Sequence, residues 1–248
     1  MRVEQQGDVA VVHIEGGKAN AMNPAMLEAL DGCLDQVEQA NARAMVLTGY
    51  ERFFSAGLDL ASLHELDRHG MAQMMERFDA VMRRLFTWPG PVVAAVNGHA
   101  IAGGLVLALQ ADERYCANTK LSLCLKEVVL GVGLPSAVIE PLRLAVAPPH
   151  LVPLALEGRS YDPSEGVACG LIQQVVAQDR LVGMAVKRAQ ELADLPGLGF
   201  AHIKEGLRRR ALADWEASAD ASLDLWLDTW FHPRAVEVRE ATLAAMSK

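Results

Sequence analysis

Three short apolar runs, each followed by a turn signal and then by a stretch of helical periodicity, restrict this chain to few architectures. Val9 to Ile14 (VAVVHI) follows Gly7-Asp8, Ala44 to Leu47 (AMVL) ends at Thr48-Gly49, and Pro91 to Val96 (PVVAAV) runs into Asn97-Gly98. Their β-branched content and bounding turn residues predict strands. After the first run, Asn23-Pro24 supplies an N-cap and a first-turn proline, and Leu27, Leu30, Leu34 and Val37 recur at helical spacing. After the second, Met71, Met74, Met75, Phe78, Val81, Met82 and Leu85 follow one helical face, closed by Pro89-Gly90. Leu105, Leu107 and Leu109 carry the helix after the third. Strand and helix alternation of this kind predicts an α/β fold with parallel pairing and right-handed crossovers. Val3 opens a hairpin partner for the first strand, and no repeat of fixed period is present.

From Asp179 onward helical signals dominate: Leu181 to Leu192, Phe200 to Leu212, Ser218 to Trp230, and a last helix starting at Pro233. A boundary near Pro196-Gly197 divides the chain into a core, residues 1–195, and a C-terminal helical region, residues 196–248. At 248 residues with 51% hydrophobic and 22% charged side chains, the chain can bury a sizeable core.

The net charge of −8 argues against nucleic acid and anionic lipid as partners. The most apolar stretch, Val92 to Leu109, is interrupted by Asn97, Gly98, His99, Gly103 and Gly104 and is poor material for a membrane span. Cys33, Cys116, Cys124 and Cys169 show neither CxxC spacing nor clustering with His, so a reduced compartment and no metal site are expected. MRVEQQGDVAVV lacks the apolar core of an export signal, and the expected location is the cytoplasm.

Three segments carry chemistry. In Phe53-Phe54-Ser55-Ala56-Gly57-Leu58-Asp59-Leu60, small residues let the backbone turn sharply and leave N–H groups free near a helix start. Alone, it also reads as an ordinary strand-to-helix connection capped by Asp59. In Asn97 to Val106 (NGHAIAGGLV), the pair Gly103-Gly104 heads an apolar helix and allows close approach of a ligand, or simply tight packing. His99 in that run reads as a structural residue. In Leu123 to Gly131 (LCLKEVVLG), Glu127 is one carboxylate in an apolar stretch, where burial would lift its pKa into the range useful for proton transfer. An exposed Lys126-Glu127 turn is the alternative.

In order and spacing, FSAGLDL, NGHAIAGG and KEVVLGVGLP together resemble the crotonase (enoyl-CoA hydratase/isomerase) superfamily, over residues Val9 to about Val176. Lys18 to Asn23 (KANAMN) looks like that family's early CoA-binding loop, and Ser164 to Ile172 (SEGVACGLI) is similar to the segment preceding its C-terminal helices. The resemblance implies a spiral of ββα turns forming the acyl-CoA-binding core, with a helical C-terminal region used in trimer contacts. A homotrimer or a dimer of trimers is therefore the expected assembly, and Leu223, Leu225, Trp226, Leu227, Trp230 and Phe231 form the apolar cluster expected to serve it.

Carried over position by position, the resemblance implies that the backbone N–H groups of Leu58 and Gly103 hold the thioester oxygen. Lys18, Ala19, Ala56, Gly57, Asp59, Leu60 and Gly104 are the implied substrate-binding residues. The family's hydratases typically use two glutamates; here Val106 stands at the first position and Glu127 at the second. One base suffices to move a double bond, whereas adding water needs a second group to activate and orient it. The expected activity is thus β,γ- to α,β-enoyl-CoA isomerisation, with a hydratase or another crotonase-type acyl-CoA chemistry as alternative and a non-catalytic acyl-CoA-binding protein as the alternative of another class. CoA enters as part of the substrate, and no separate cofactor is implied. The Met71 to Met82 face reads first as core packing and second as lining for an acyl tail, and Arg208-Arg209-Arg210 as a solvated helix face.

Overall fold

A computed structural model describes residues 1–246. The predicted hairpin is present: β1 (Arg2–Gln6) pairs antiparallel with β2 (Val9–His13). Asn23 caps α1 (Pro24–Gln39), its side chain accepting from the Met26 N–H at 2.9 Å, and the helix buries Leu27, Leu30, Leu34 and Val37.

Three ββα turns follow. The first comprises β3 (Ala44–Thr48), β4 (Phe53–Ser55), the short α2 (Leu60–Leu63) and α3 (Arg68–Thr87). The second comprises β5 (Val92–Val96), β6 (His99–Ile101) and α4 (Gly103–Leu109). The third comprises β7 (Glu113–Ala117), β8 (Leu123–Cys124), a 3-10 turn at Val128–Leu130 and α5 (Ser136–Ala145). Then α6 (Pro163–Ala168) leads to β9 (Gln174–Val176). The first strand of every turn joins one sheet, ordered β1-β2-β3-β5-β7-β9, and the second joins a smaller sheet, β4-β6-β8. Each turn therefore lies on the one before it, which is the spiral expected from the sequence.

The strands after the hairpin pair with one another in parallel. Parallel strands run in the same sense, so the C-terminal ends of β4, β6 and β8 lie side by side at one edge of the small sheet. The three chemistry-bearing segments begin at those ends. This is how residues near 57, 103 and 127 become neighbours.

The C-terminal part is α7 (Leu181–Ala193), α8 (Gly197–Trp230) and α9 (Pro233–Met246). The two helices expected at 200–212 and 218–230 are one helix of 34 residues. The stretch between them, Ala213 to Ala217, has no glycine or proline, and it contains Trp215, which is 1% exposed and donates Nε1–H to Asp79 at 2.7 Å. A buried, hydrogen-bonded tryptophan keeps the helix on the core where local propensity is neutral. The expected solvated arginine face is corrected in the same way. Arg209 and Arg210 are exposed, but Arg208 is half-buried, its guanidinium 2.8 Å from Asp112 Oδ1 and stacked over Phe86. Lys204 reaches the other oxygen of Asp112 at 2.7 Å, so one carboxylate pins two turns of α8 to the spiral.

Among the described residues, no helix is long and apolar enough to cross a membrane. All four cysteines are free and buried.

Candidate active site

A cavity of about 1180 Å³ opens where the ends of β4, β6 and β8 meet. Of the residues singled out in the sequence, Lys18, Ala19, Ala56, Leu58, Asp59, Leu60, Gly103, Val106 and Glu127 line it. Gly57 and Gly104 do not. They act as spacers: Gly57 has φ +85°, and a Cβ there would lie 2.7 Å from the Ile101 carbonyl oxygen. A Cβ on Gly104 would lie 2.0 Å from the Ser55 carbonyl oxygen. Any side chain at either position would push the first loop away from α4.

The backbone of the first loop is oriented by its pairing with the 18–23 segment. Met22 N–H donates to Gly57 O at 2.7 Å, and Asp59 N–H donates to Met22 O at 2.8 Å. In extended pairing, alternate residues point their N–H groups to opposite edges, so the Leu58 N–H faces away from Met22. It has no acceptor among the described residues. The N–H of Gly103, first in α4, has none either, because the first turn of a helix lacks internal partners. The two are adjacent: a Cβ on Gly103 would lie 3.7 Å from Leu58 N. Ala102 holds this arrangement in a strained conformation, φ +49° and ψ −125°, with its own N–H anchored on Cys124 O at 2.8 Å. Such strain persists only where surrounding structure enforces it.

Asn20 and Ser55 brace the loop. Asn20 is fully buried; its Oδ1 accepts from Gly16 N–H at 2.8 Å and its Nδ2 donates to Phe54 O at 3.1 Å. Ser55 Oγ–H donates to Asn20 O at 2.7 Å, and Oγ accepts from Gly57 N–H at 3.1 Å. Both residues stand inside the quoted sequence segments, yet nothing in their spacing assigns them this role. The signal is a pair of buried polar groups, and burial is known only once the fold is.

Glu127 is half-buried, and its Oε2 is buried with no hydrogen-bond partner among the described residues. Burial pushes its carboxyl up to about 7, against a smaller downward pull from backbone N–H groups of its own loop. Lys126 does not neutralise it, because its ammonium is turned to Gly158 O. Val106, fully buried, presents only methyl groups to the same cavity. His99 has the structural role expected of it: Nδ1 accepts from Ser122 N–H at 3.1 Å and the ring packs on Phe53. Among the described residues no cluster of His, Cys, Asp or Glu could hold a metal ion.

The whole Met71 to Met82 face belongs to the core, and Met75 and Phe78 also line the cavity. Sequence reasoning missed the aromatic contribution of α8: Trp226 and Trp230, expected at an intersubunit surface, are each 3% exposed within the chain and line the same cavity. Chemically, two unclaimed N–H donors and a weakly acidic carboxyl with one unpartnered oxygen, lining the same cavity, can stabilise a developing oxyanion while a proton moves nearby.

Comparison with known proteins places the chain in a family. The family model described as enoyl-CoA hydratase/isomerase matches residues 4–237. The carnitinyl-CoA dehydratase of Citrobacter koseri is 32% identical over 203 residues, which cover 81% of this chain and 77% of that protein. A Mycobacterium tuberculosis protein, described as an enoyl-CoA isomerase in one structure and as a probable enoyl-CoA hydratase in another, is 29% identical with a TM-score of 0.85, the first structure covering 90% and 97% of the two chains. Human mitochondrial delta3-delta2-enoyl-CoA isomerase, at 23% identity, shares the fold with a TM-score of 0.93 over 99% and 97%. Hydratase and isomerase names occur side by side among the similar proteins.

Proposed function

The chain belongs to the enoyl-CoA hydratase/isomerase family, the crotonase superfamily, and from that premise we propose that it moves the double bond of a β,γ-enoyl-CoA to the α,β position. The observation that carries this reading is the placement of Glu127 and Val106 in one cavity: a carboxyl with one unpartnered oxygen, and an apolar side chain where the family's hydratases typically have a second carboxylate.

In the proposed reaction the Glu127 carboxylate takes a proton from C2 of the thioester. The electron pair delocalises through the carbonyl and the C3–C4 double bond, and the charge that collects on the thioester oxygen is held by the N–H groups of Leu58 and Gly103. The protonated Glu127 then returns the proton to C4, leaving the double bond between C2 and C3. Nothing is added to or lost from the substrate. A carboxyl lifted to about 7 suits both halves, since it is basic enough to take the proton and acidic enough to give it back. Lys18, Ala19, Ala56, Asp59 and Leu60 form the wall against which the CoA moiety and thioester rest, while Gly57 and Gly104 keep that wall at its distance.

Hydration is the second reading, favoured by the dehydratase and hydratase names among the relatives. A panel of β,γ- and α,β-enoyl-CoAs of several chain lengths, scored for isomer and for hydrated product, separates the two. Isomer from the β,γ substrates with little hydrated product is expected; efficient hydration overturns the isomerase. Saturable binding of CoA with no turnover of either class would favour the non-catalytic alternative.

A further inference from the structure

The cavity has two chemically different ends. Lys18, Glu51 and Arg52 stand exposed at its open side, whereas Met75, Phe78, Val138, Trp226 and Trp230, none more than 5% exposed, line its inner side. A ligand with a polyanionic head and an apolar tail has one sensible orientation in such a space.

Trp226 and Trp230, one turn apart on α8, stack with ring centroids 5.1 Å apart and planes inclined by 21°. The guanidinium carbon of Arg239, on α9, lies 3.9 Å from the centroid of the Trp230 ring. Arg239 is 3% exposed, and its Nε and Nη1 meet no acceptor among the described residues. The Glu240 carboxylate acts on this guanidinium through charge, without a hydrogen bond to Nε or Nη1, and a buried cation so placed is costly, with stacking on an aromatic face offsetting only part of the cost. Departures of this size from good packing are expected where a side chain serves function rather than stability.

We infer that the stack of Arg239, Trp230 and Trp226 is the end wall of the acyl site and sets the longest acyl chain this protein accepts. The inference rests on the acyl-CoA reading and adds the residues that select among acyl chains. A tryptophan has only two side-chain torsions, and Trp230 is held by a second ring and by a cation, so it does not swing aside for a longer tail. Met75, whose thioether has more torsions, adapts to the shape of a chain that fits. The wall is stiff at its end and pliable at its side. Arg239 acts as a positioning residue through Trp230.

The test is binding of saturated acyl-CoAs, from butyryl- to palmitoyl-CoA, to the full chain by calorimetry. Each methylene buried should tighten binding about fourfold until the wall is met, after which affinity levels off. In Trp230→Ala the levelling point should move to longer chains, and Trp230→Leu, a gentler change, should move it part of the way. Arg239→Gln should also move it, while Arg239→Lys, which keeps a cation over the ring, should restore the wild-type break. An unchanged break in both Trp230 variants, or equal behaviour of the two Arg239 variants, overturns the wall while leaving the activity proposal intact. Because saturated chains do not turn over, failure of the isomerase alone leaves this result readable. Absence of binding by every acyl-CoA overturns both.

Discussion

Glu127 is where charge, burial and chemistry meet in a single side chain. Glu127→Gln keeps the shape and removes the base, so turnover should fall by about 10²- to 10⁴-fold while CoA affinity is retained, because the thioester oxygen is still met by backbone donors. Steady-state rates with calorimetry on acetyl-CoA check this, and wild-type turnover in the variant would sink the single-base mechanism. The pH dependence follows from the raised pKa. The carboxylate is the active form, so kcat/KM should rise about tenfold per pH unit below about 7 and level off above it. Stability runs the other way. Between 4.5, the ordinary value, and about 7, the unfolded chain sheds a proton that the folded chain keeps, so this residue destabilises the fold increasingly as pH rises through that window. The melting temperature of Glu127→Gln relative to wild type should therefore be higher at pH 8 than at pH 4. That Glu127 stands alone in an apolar run was legible in the sequence. That Oε2 lacks a partner was not, since it depends on Lys126 turning to Gly158.

At the scale of elements, the site is a product of strand order. β4, β6 and β8 are two or three residues long, too short to be read as strands from periodicity, so the residues alone suggested turns there and the second strand of each turn was implied only by the family resemblance. Their parallel pairing is what aligns the three loops. The first loop is held by Ser55, and Ser55→Ala would leave the Asn20 carbonyl and the Gly57 N–H short of a buried partner each, a loss of about 1–3 kcal/mol. We expect a lower melting temperature and a fall in kcat larger than any rise in KM, because the displaced element carries the Leu58 donor. If kcat is unchanged, the brace has no bearing on the donor's position. The attachment of α8 depends likewise on one residue. Asp112→Ala would leave the buried cation of Lys204 and the half-buried cation of Arg208 facing each other without their anion, and should cost about 3–5 kcal/mol in chemical unfolding. Lys204 already feels this setting, its ammonium pushed down to about 8 by burial despite Asp112.

For the molecule as a whole, assembly was expected from the apolar cluster at Leu223 to Phe231, but the fold spends Trp226, Leu227 and Trp230 on its own interior. Leu225 remains exposed, together with Leu198, Ile203 and Leu207 on the same long helix. A trimer or a dimer of trimers should therefore form through α8 by these residues, and sedimentation showing a stable monomer at micromolar concentration would exclude it. The amino-acid sequence by itself determined the alternation of strands and helices, the three motif segments, the isolated Glu127 and the apolar Val106, because all of these are local: period, turn chemistry and residue type need no partner to be read. Only the tertiary structure decided that the segments converge, that 200–212 and 218–230 are one helix, that Arg208 pairs with Asp112, and that two tryptophans face the cavity rather than a neighbouring subunit. Those outcomes depend on which surfaces meet, and a side chain's burial is a property of its partners as much as of itself.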